Sequence, residues 1–298
     1  MLKVLLFGKN GQVGWELQRS LATLGELTAL DFDSTDHHAD FSRPAGLIDT
    51  VRALRPDVIV NAAAHTAVDK AESEPAFAET LNAEAPRILA AEAAGLGAWL
   101  VHYSTDYVFD GSGQAPRKEE AATGPLSVYG RTKLDGENHI RASGCKHLIF
   151  RTSWVYAARG GNFARTMLKL AAERDALSVI DDQIGAPTGA DLLADVTAYA
   201  IRAVQRESEL GGTYHAVAAG ETSWHGYARF VIDWARANGL PVKVAAAAIA
   251  AVPTSAYPTP ARRPLNSRLD TQKMRDAFGL TLPDWQTGVQ RMLQEITP

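Results

Sequence analysis

The chain has 298 residues, 46% of them hydrophobic and 21% charged, enough apolar material to bury a sizeable core in one large domain or two smaller ones, which excludes a disordered polypeptide. Its formal net charge of −4 offers no general attraction for nucleic acid or anionic lipid, so an anionic ligand has to be met by a local cluster of donors. Cys145 is the only cysteine, which excludes an internal disulfide framework and a Cys-rich zinc site and suits a reducing cytosol.

The first segment, Met1 to Gly8, reads as a short apolar strand without the basic region and small-residue cleavage signal of a secretory peptide. The longest apolar run, Val244 to Val252, is too short to span a bilayer. A cytoplasmic protein that uses neither membrane nor nucleic acid is therefore expected. Aliphatic and β-branched segments at Lys3 to Phe7, Glu26 to Leu30, Asp57 to Asn61, Ala98 to Ser104 and Lys146 to Thr152 predict strands. They alternate with helical stretches such as Trp15 to Leu24 and Glu72 to Ala94, the rhythm of a doubly wound α/β fold with a parallel (Rossmann) sheet. Beyond Thr152 the rhythm loosens, and Gly185 to Gly189 and Val252 to Pro264 read as loops over a site. The helical stretch Ala190 to Arg206 is expected to return to the sheet. Ser223 to Asn238, Thr271 to Phe278 and Trp285 to Ile296 are expected to form a small cap. The resulting division is a dinucleotide-binding domain of residues 1–153 plus about 190–218, and a smaller C-terminal α/β substrate domain of about 154–189 plus 219–298.

The first predicted strand runs directly into Gly8, Gly11 and Gly14, with Gln12 and Val13 opening a helix between them. Glycines at this spacing let the backbone turn sharply and approach a pyrophosphate, whose charge is met by free amides at the helix N-terminus. Alone, such a run is equally consistent with a tight turn. Here a strand precedes it, a helix follows, and Asp31 ends the second strand 17 residues past Gly14 (31 − 14), near the spacing at which an acid meets the adenosine ribose hydroxyls. That acid favours NADH over NADPH.

Tyr129 and Lys133, four apart in a segment that starts a helix after Pro125 and Ser127, share one helical face. A lysine ammonium beside a phenol favours the phenolate and is expected to lower the tyrosine pKa, easing proton donation to a forming alkoxide. Upstream, Thr105 and Asp106 end the predicted strand at Ala98 to Ser104, at the carboxyl edge where open α/β sheets bind ligands. A tyrosine and lysine at this spacing are weak evidence alone. Their order after a glycine turn and a strand-end threonine is what gives them weight.

Taken together these residues resemble the extended short-chain dehydrogenases/reductases, and within them the dTDP-4-dehydrorhamnose reductases. The resemblance covers nearly the whole chain, through GKNGQVGWEL (8–17), NAAAHTAVDKAE (61–72), HYSTDYVFDG (102–111), VYGRTKLDGE (128–137), FRTSWVYA (150–157), DDQIGAPTG (181–189) and YPTPARRPLNS (257–267). It implies NADH- or NADPH-dependent reduction of the C4 keto group of dTDP-6-deoxy-L-lyxo-4-hexulose to dTDP-L-rhamnose. Tyr129 would be the proton donor, Lys133 would hold the cofactor ribose and tune Tyr129, and Thr105 would bind the reacting oxygen. Asp106 and Trp154 would contact the sugar. Asp40 and Phe41 would border the adenine, and Ala63, Ala64 and His65 would line the cofactor after the fourth strand. The resemblance also implies a homodimer with Mg²⁺ bound by acidic side chains, for which Glu16, Asp191 and Glu295 are the positions available, although each acid alone reads as a solvated surface charge. Arg262 and Arg263 lie in a Pro-rich loop and suit the diphosphate of the substrate.

Two rival functions share these motifs. A sugar-nucleotide 4,6-dehydratase would carry Glu after Thr105 and Asp106, where this chain has Tyr107; a 4-epimerase needs little beyond hydride return and stays open. A non-catalytic NAD(P)-binding regulatory subunit would be expected to have lost Thr105, Tyr129 or Lys133, all of which are present.

Overall fold

In the computed structural model, which describes residues 1–297, the apolar runs become the strands β1 (Leu2–Phe7), β2 (Gly25–Leu30), β3 (Val58–Asn61), β4 (Trp99–Thr105) and β5 (Lys146–Thr152). With the strand Gly212–His215 they make one six-stranded sheet in the order Gly212–His215, β5, β4, β3, β1, β2, every pairing parallel. Helices cover both faces, so alternate residues of one strand enter different apolar clusters. Val4, Leu6, Val58 and Val60 face one side, and Leu5, Phe7 and Ile59 the other. The segment 58–61 is the third strand in chain order, not the fourth. Residues 31–45, polar and interrupted by Pro44, form turns where another strand was implied.

The helices are α1 (Gln12–Leu21), α2 (Gly46–Leu54), α3 (Val68–Ser73), α4 (Pro75–Glu79), α5 (Ala85–Leu96), α6 (Val128–Ala142), α7 (Phe163–Glu173), α8 (Ala190–Val204), α9 (Trp224–Ala237), α10 (Gln272–Phe278) and α11 (Trp285–Ile296). The single crossover helix predicted over Glu72 to Ala94 is broken into α3, α4 and α5, with a π-helical turn at Thr80–Glu84. Pro75 and Pro86 explain the breaks, since each lacks the amide that would continue the preceding ladder. The turn presents Asn82, whose side chain accepts from the His65 amide at 2.8 Å and donates to Thr132 Oγ1 at 3.1 Å. It thereby ties the segment after β3 to α6.

A further apolar cluster, away from the two on the sheet faces, gathers residues of α7, α9 and α11, including Tyr227, Val231, Trp285 and Val289. Beside it lie three short strand pairs: Val155–Tyr156 with Thr188–Gly189, Leu177–Ile180 with Ile249–Val252, and Ile184–Gly185 with Thr222–Ser223. Helix α10, predicted in this cap, instead sends Met274 and Phe278 into the sheet cluster, Phe278 meeting Tyr214 with ring centroids 4.9 Å apart.

Helix α6 is fastened to the sheet by a buried charge. Glu137, with no exposed surface, accepts from Ser104 Oγ of β4 at 2.5 Å, from Arg151 Nε and Nη2 of β5 at 2.9 and 2.7 Å, and from Arg141 Nη1 at 3.0 Å. Burial alone would raise its pKa, but the Arg151 hydrogen bonds and charge, aided by Ser104 and Arg141, outweigh it and hold the carboxyl below the usual glutamate range. A carboxyl whose folded pKa lies below its unfolded one stabilises fully at neutral pH and loses that contribution as the pH falls through the acid range. Replacing Arg151 with Met should cost about 3–5 kcal/mol in urea unfolding at pH 7, because a buried carboxylate loses its main partner. A loss under about 1 kcal/mol would mean that the pair does not hold α6 in place.

Candidate active site

One cavity of about 1060 Å³ opens along the carboxyl ends of β1, β3, β4 and β5, the edge where the strand order reverses around β1 and where such sheets bind ligands. Gly8 leaves β1 at φ +85, and a β-carbon there would lie 2.7 Å from the Ala63 amide nitrogen. A β-carbon on Gly14 would lie 1.9 Å from the Gly8 carbonyl oxygen, so α1 packs directly on the turn. Gly11 caps α1 with no side-chain hydrogen bond, and the amides of Gln12, Val13 and Gly14 find no partner among the described residues. Those amides at a helix N-terminus, with bare glycine backbone beside them, fit a dinucleotide pyrophosphate.

Asp31 stands at the rim, fixed by the amides of Asn10 and Phe32, each at 2.8 Å. Asp40, Phe41, Ala63 and Ala64 line the same cavity. Burial works to raise the Asp40 carboxyl, but hydrogen bonds from Ser42 and Arg43 hold it below the ordinary range. His65 is placed differently: its amide is pinned by Asn82, its ring lies edge-on to Phe77, and it does not line the cavity. Gln12 reaches across the opening to donate to the Gly161 carbonyl at 2.8 Å.

At the far end, Thr105 closes β4 and Tyr129 sits in the first turn of α6, which Ser127 caps by accepting from the Gly130 amide. Thr105 donates to Asp106 Oδ1 at 3.0 Å, and Asp106 Oδ2 is buried with no hydrogen-bond partner among the described residues. Burial pushes the Asp106 carboxyl up to about 6, against the lowering effect of the nearby Ser267 and Thr105 hydroxyls. Tyr129 differs from the expectation. Burial pushes its hydroxyl up to about 12, the nearby Thr105 hydroxyl opposing and the Asp106 charge reinforcing this. The lysine is what titrates low: burial brings Lys133 down to about 8 against the opposing charge of Glu137. Its Nζ is turned to His102 Nε2 at 3.2 Å. The spacing of Tyr129 and Lys133 places both on the cavity, but it does not reveal where the lysine points.

Trp154 follows β5 at φ +48, a left-handed conformation rare outside glycine. It is held by a stack on Trp224, with centroids 3.7 Å and planes 17° apart, and by the absence of a side chain at Gly185, where a β-carbon would lie 2.9 Å from its ring. Trp224 lines the cavity and anchors itself by donating to Gln183 at 3.0 Å. It escaped the sequence reading because it belongs to no motif and begins a helix far along the chain.

Arg262 and Arg263 do not line the cavity. Arg262 is exposed, and Arg263 is spent on Asp69 of α3, at 2.7 and 3.1 Å. Glu16, Asp191 and Glu295 do come together, in a second cavity of about 410 Å³. There Arg291 stands 3.4 Å from Asp191 and Arg19 3.7 Å from Glu16, and among the described residues no metal-ligating set of His, Cys, Asp or Glu side chains converges. Guanidinium groups stand beside two of the three carboxylates, Glu16 and Asp191, so the trio as it lies within the chain does not fit Mg²⁺.

Fold and site together are those of an extended short-chain dehydrogenase/reductase. Residues 2–297 match the family model described as the RmlD substrate binding domain. The chain is 61% identical over 295 residues to a dTDP-4-dehydrorhamnose reductase of Shigella flexneri, covering 99% of this chain and 98% of that one. It resembles the crystal structure of a dTDP-4-dehydrorhamnose reductase from Clostridium acetobutylicum with a TM-score of 0.88 at 35% identity, covering 99% of both chains. It likewise resembles that of Bacillus anthracis in complex with NADP, with a TM-score of 0.86 at 33% identity, covering 99% of this chain and 100% of the other. The chain belongs to the dTDP-4-dehydrorhamnose reductase family.

Two glycines separate ligand approach from packing. Gly11 has ordinary φ and ψ, and a β-carbon there meets only the Gly8 oxygen at 3.4 Å. Gly11→Ala should therefore keep the melting temperature while weakening NADPH binding by about tenfold or more, about 1.4 kcal/mol, in fluorescence titration. Gly14→Ala should instead destabilise by about 1–3 kcal/mol through its backbone clash. Unchanged NADPH affinity in Gly11→Ala would remove the pyrophosphate from this turn.

Proposed function

We propose that this chain uses NAD(P)H to reduce the C4 keto group of dTDP-6-deoxy-L-lyxo-4-hexulose, giving dTDP-L-rhamnose. The observation that carries the reading is that one cavity joins the glycine turn at one end to Thr105, Asp106 and Tyr129 at the other. The bound cofactor supplies the hydride for C4. Tyr129 supplies the proton: with its hydroxyl pushed up to about 12, the phenol is protonated throughout the neutral range, the state a general acid needs for an oxygen that gains negative charge. Thr105, hydrogen-bonded to Asp106 at the strand end, orients that oxygen. The buried free oxygen of Asp106 accepts from a sugar hydroxyl, which relieves an otherwise unpaired buried acceptor. The Trp154 and Trp224 stack gives the deoxysugar an apolar surface and keeps water from the reacting carbon.

Lys133 holds the cofactor ribose beside Tyr129. Asp31, at the end of β2, accepts from the adenosine ribose hydroxyls and biases the site toward NADH. On this reading residues 1–153 plus about 190–218 bind the dinucleotide, and about 154–189 plus 219–298 bind the sugar nucleotide, with α10 packed onto the first unit.

Supplying dTDP-4-keto-6-deoxyglucose and a 3,5-epimerase should produce stoichiometric oxidation of NADH and NADPH, with NADH giving the higher kcat/KM. Tyr129→Phe should lower kcat by about 10²–10⁴-fold and leave cofactor affinity unchanged. Absence of cofactor oxidation would refute the activity, and an unaltered kcat in Tyr129→Phe would refute the proton donor.

A further inference from the structure

Three buried side chains form a line that ends on Lys133: Asn61 on β3, His102 on β4 and Lys133 on α6 are each at most 2% exposed. Asn61 and His102 are register partners on adjacent parallel strands. The Ala63 amide donates to Asn61 Oδ1 at 3.0 Å, which fixes the amide group so that Nδ2 faces His102 Nδ1, also at 3.0 Å. Nδ2 carries only protons, so His102 Nδ1 must be the acceptor, and a neutral imidazole with an accepting Nδ1 carries its proton on Nε2. That proton points at Lys133 Nζ, 3.2 Å away. An N–H can donate to an amine lone pair but not to an ammonium.

We infer that His102 is a positioning residue for Lys133: locked by Asn61 and the Ala63 amide with its proton on Nε2, it donates to the Nζ lone pair and so favours the neutral amine of Lys133 in the cofactor-free protein.

The surroundings of the lysine agree. The titratable and charged groups around it are Glu137 and, one turn away, Tyr129 on α6, His102 on β4, and Arg141 and Arg151 around Glu137. Glu137 is the carboxylate that would otherwise stabilise an ammonium, but its oxygens are taken by Ser104, Arg141 and Arg151, and no hydrogen bond joins it to Nζ. Burial, the largest influence on it, keeps His102 well below its ordinary pKa, hence neutral. Lys133 itself comes down to about 8, within reach of working pH.

The consequence bears on cofactor binding. A ribose or phosphate group entering the cavity favours the ammonium, so binding above about pH 8 must take up a proton at Lys133 and open its contact with His102. The pH-rate part of this argument rests on the reductase reading; the tautomer does not.

Nitrogen-15 spectra of histidine-labelled, cofactor-free wild type should show His102 protonated on Nε2 and bare on Nδ1. A proton on Nδ1 overturns the inference and leaves the reductase reading intact. Two variants then test the effect on Lys133. Asn61→Asp would accept from both the Ala63 amide and His102 Nδ1, inverting the tautomer and turning Nε2 into an acceptor for an ammonium. His102→Gln offers a carbonyl to Nζ without adding charge. Each should move the alkaline fall of kcat/KM for the cofactor to higher pH by at least about one unit, a tenfold retention of activity on that limb. A role confined to packing would lower kcat and leave the limb in place, and that result in both variants would also overturn the inference.

Discussion

The buried Glu137 carboxylate is the constraint from which the site's geometry follows. It joins α6 to β4 through Ser104 and to β5 through Arg151, and the two strands it bridges end in Thr105 and Thr152. With α6 fixed there, helical periodicity alone carries Lys133 one turn and Tyr129 two turns toward the carboxyl edge. Gly136, where a β-carbon would lie 2.2 Å from the Asn82 carbonyl oxygen, lets the helix seat closely against the π-helical turn. Position and charge are thus settled together: the residue that anchors the helix is also the carboxylate that Lys133 does not obtain.

Electrostatics in the cavity follow mainly from burial. Tyr129, Asp106 and Lys133 all shift toward their uncharged forms, which is what removal from water does to groups without a fully paired opposite charge. A cleft prepared in this way keeps its acid protonated and leaves the arriving cofactor and sugar nucleotide to bring charge into it. Chain geometry is strained in the same region: Trp154 takes a left-handed backbone because the stack on Trp224 and the bare backbone at Gly185 leave its ring only that place.

Most of the sheet is legible in the sequence because strands covered on both faces are rich in apolar residues, as the central β1, β3, β4 and β5 are, while the edge strand β2 shows itself through Leu27, Ala29 and Leu30. The sixth, Gly212–His215, is an edge strand of Gly, Thr, Tyr and His and carries no such run. The glycine turn, the strand-end Thr105 and the Tyr129–Lys133 pair were readable because each depends on local spacing. What was not readable depends on register or on packing between distant segments. His102 meets Asn61 only because β3 and β4 pair with those residues opposite, and Trp224 meets Trp154 only after α9 folds over the cavity. The expected lowering of the Tyr129 pKa failed for a related reason: spacing shows that a lysine is near a tyrosine, but not that its amino group is turned toward a histidine while its nearest carboxylate is taken by other partners.

The reductive account is tested most directly by the fate of the transferred hydrogen. With cofactor deuterated at the transferring C4 position of the nicotinamide, the sugar product should carry one deuterium at its own C4 for each equivalent of cofactor oxidised. A sugar product free of deuterium, formed without net cofactor oxidation, would contradict the account and point to internal hydride return.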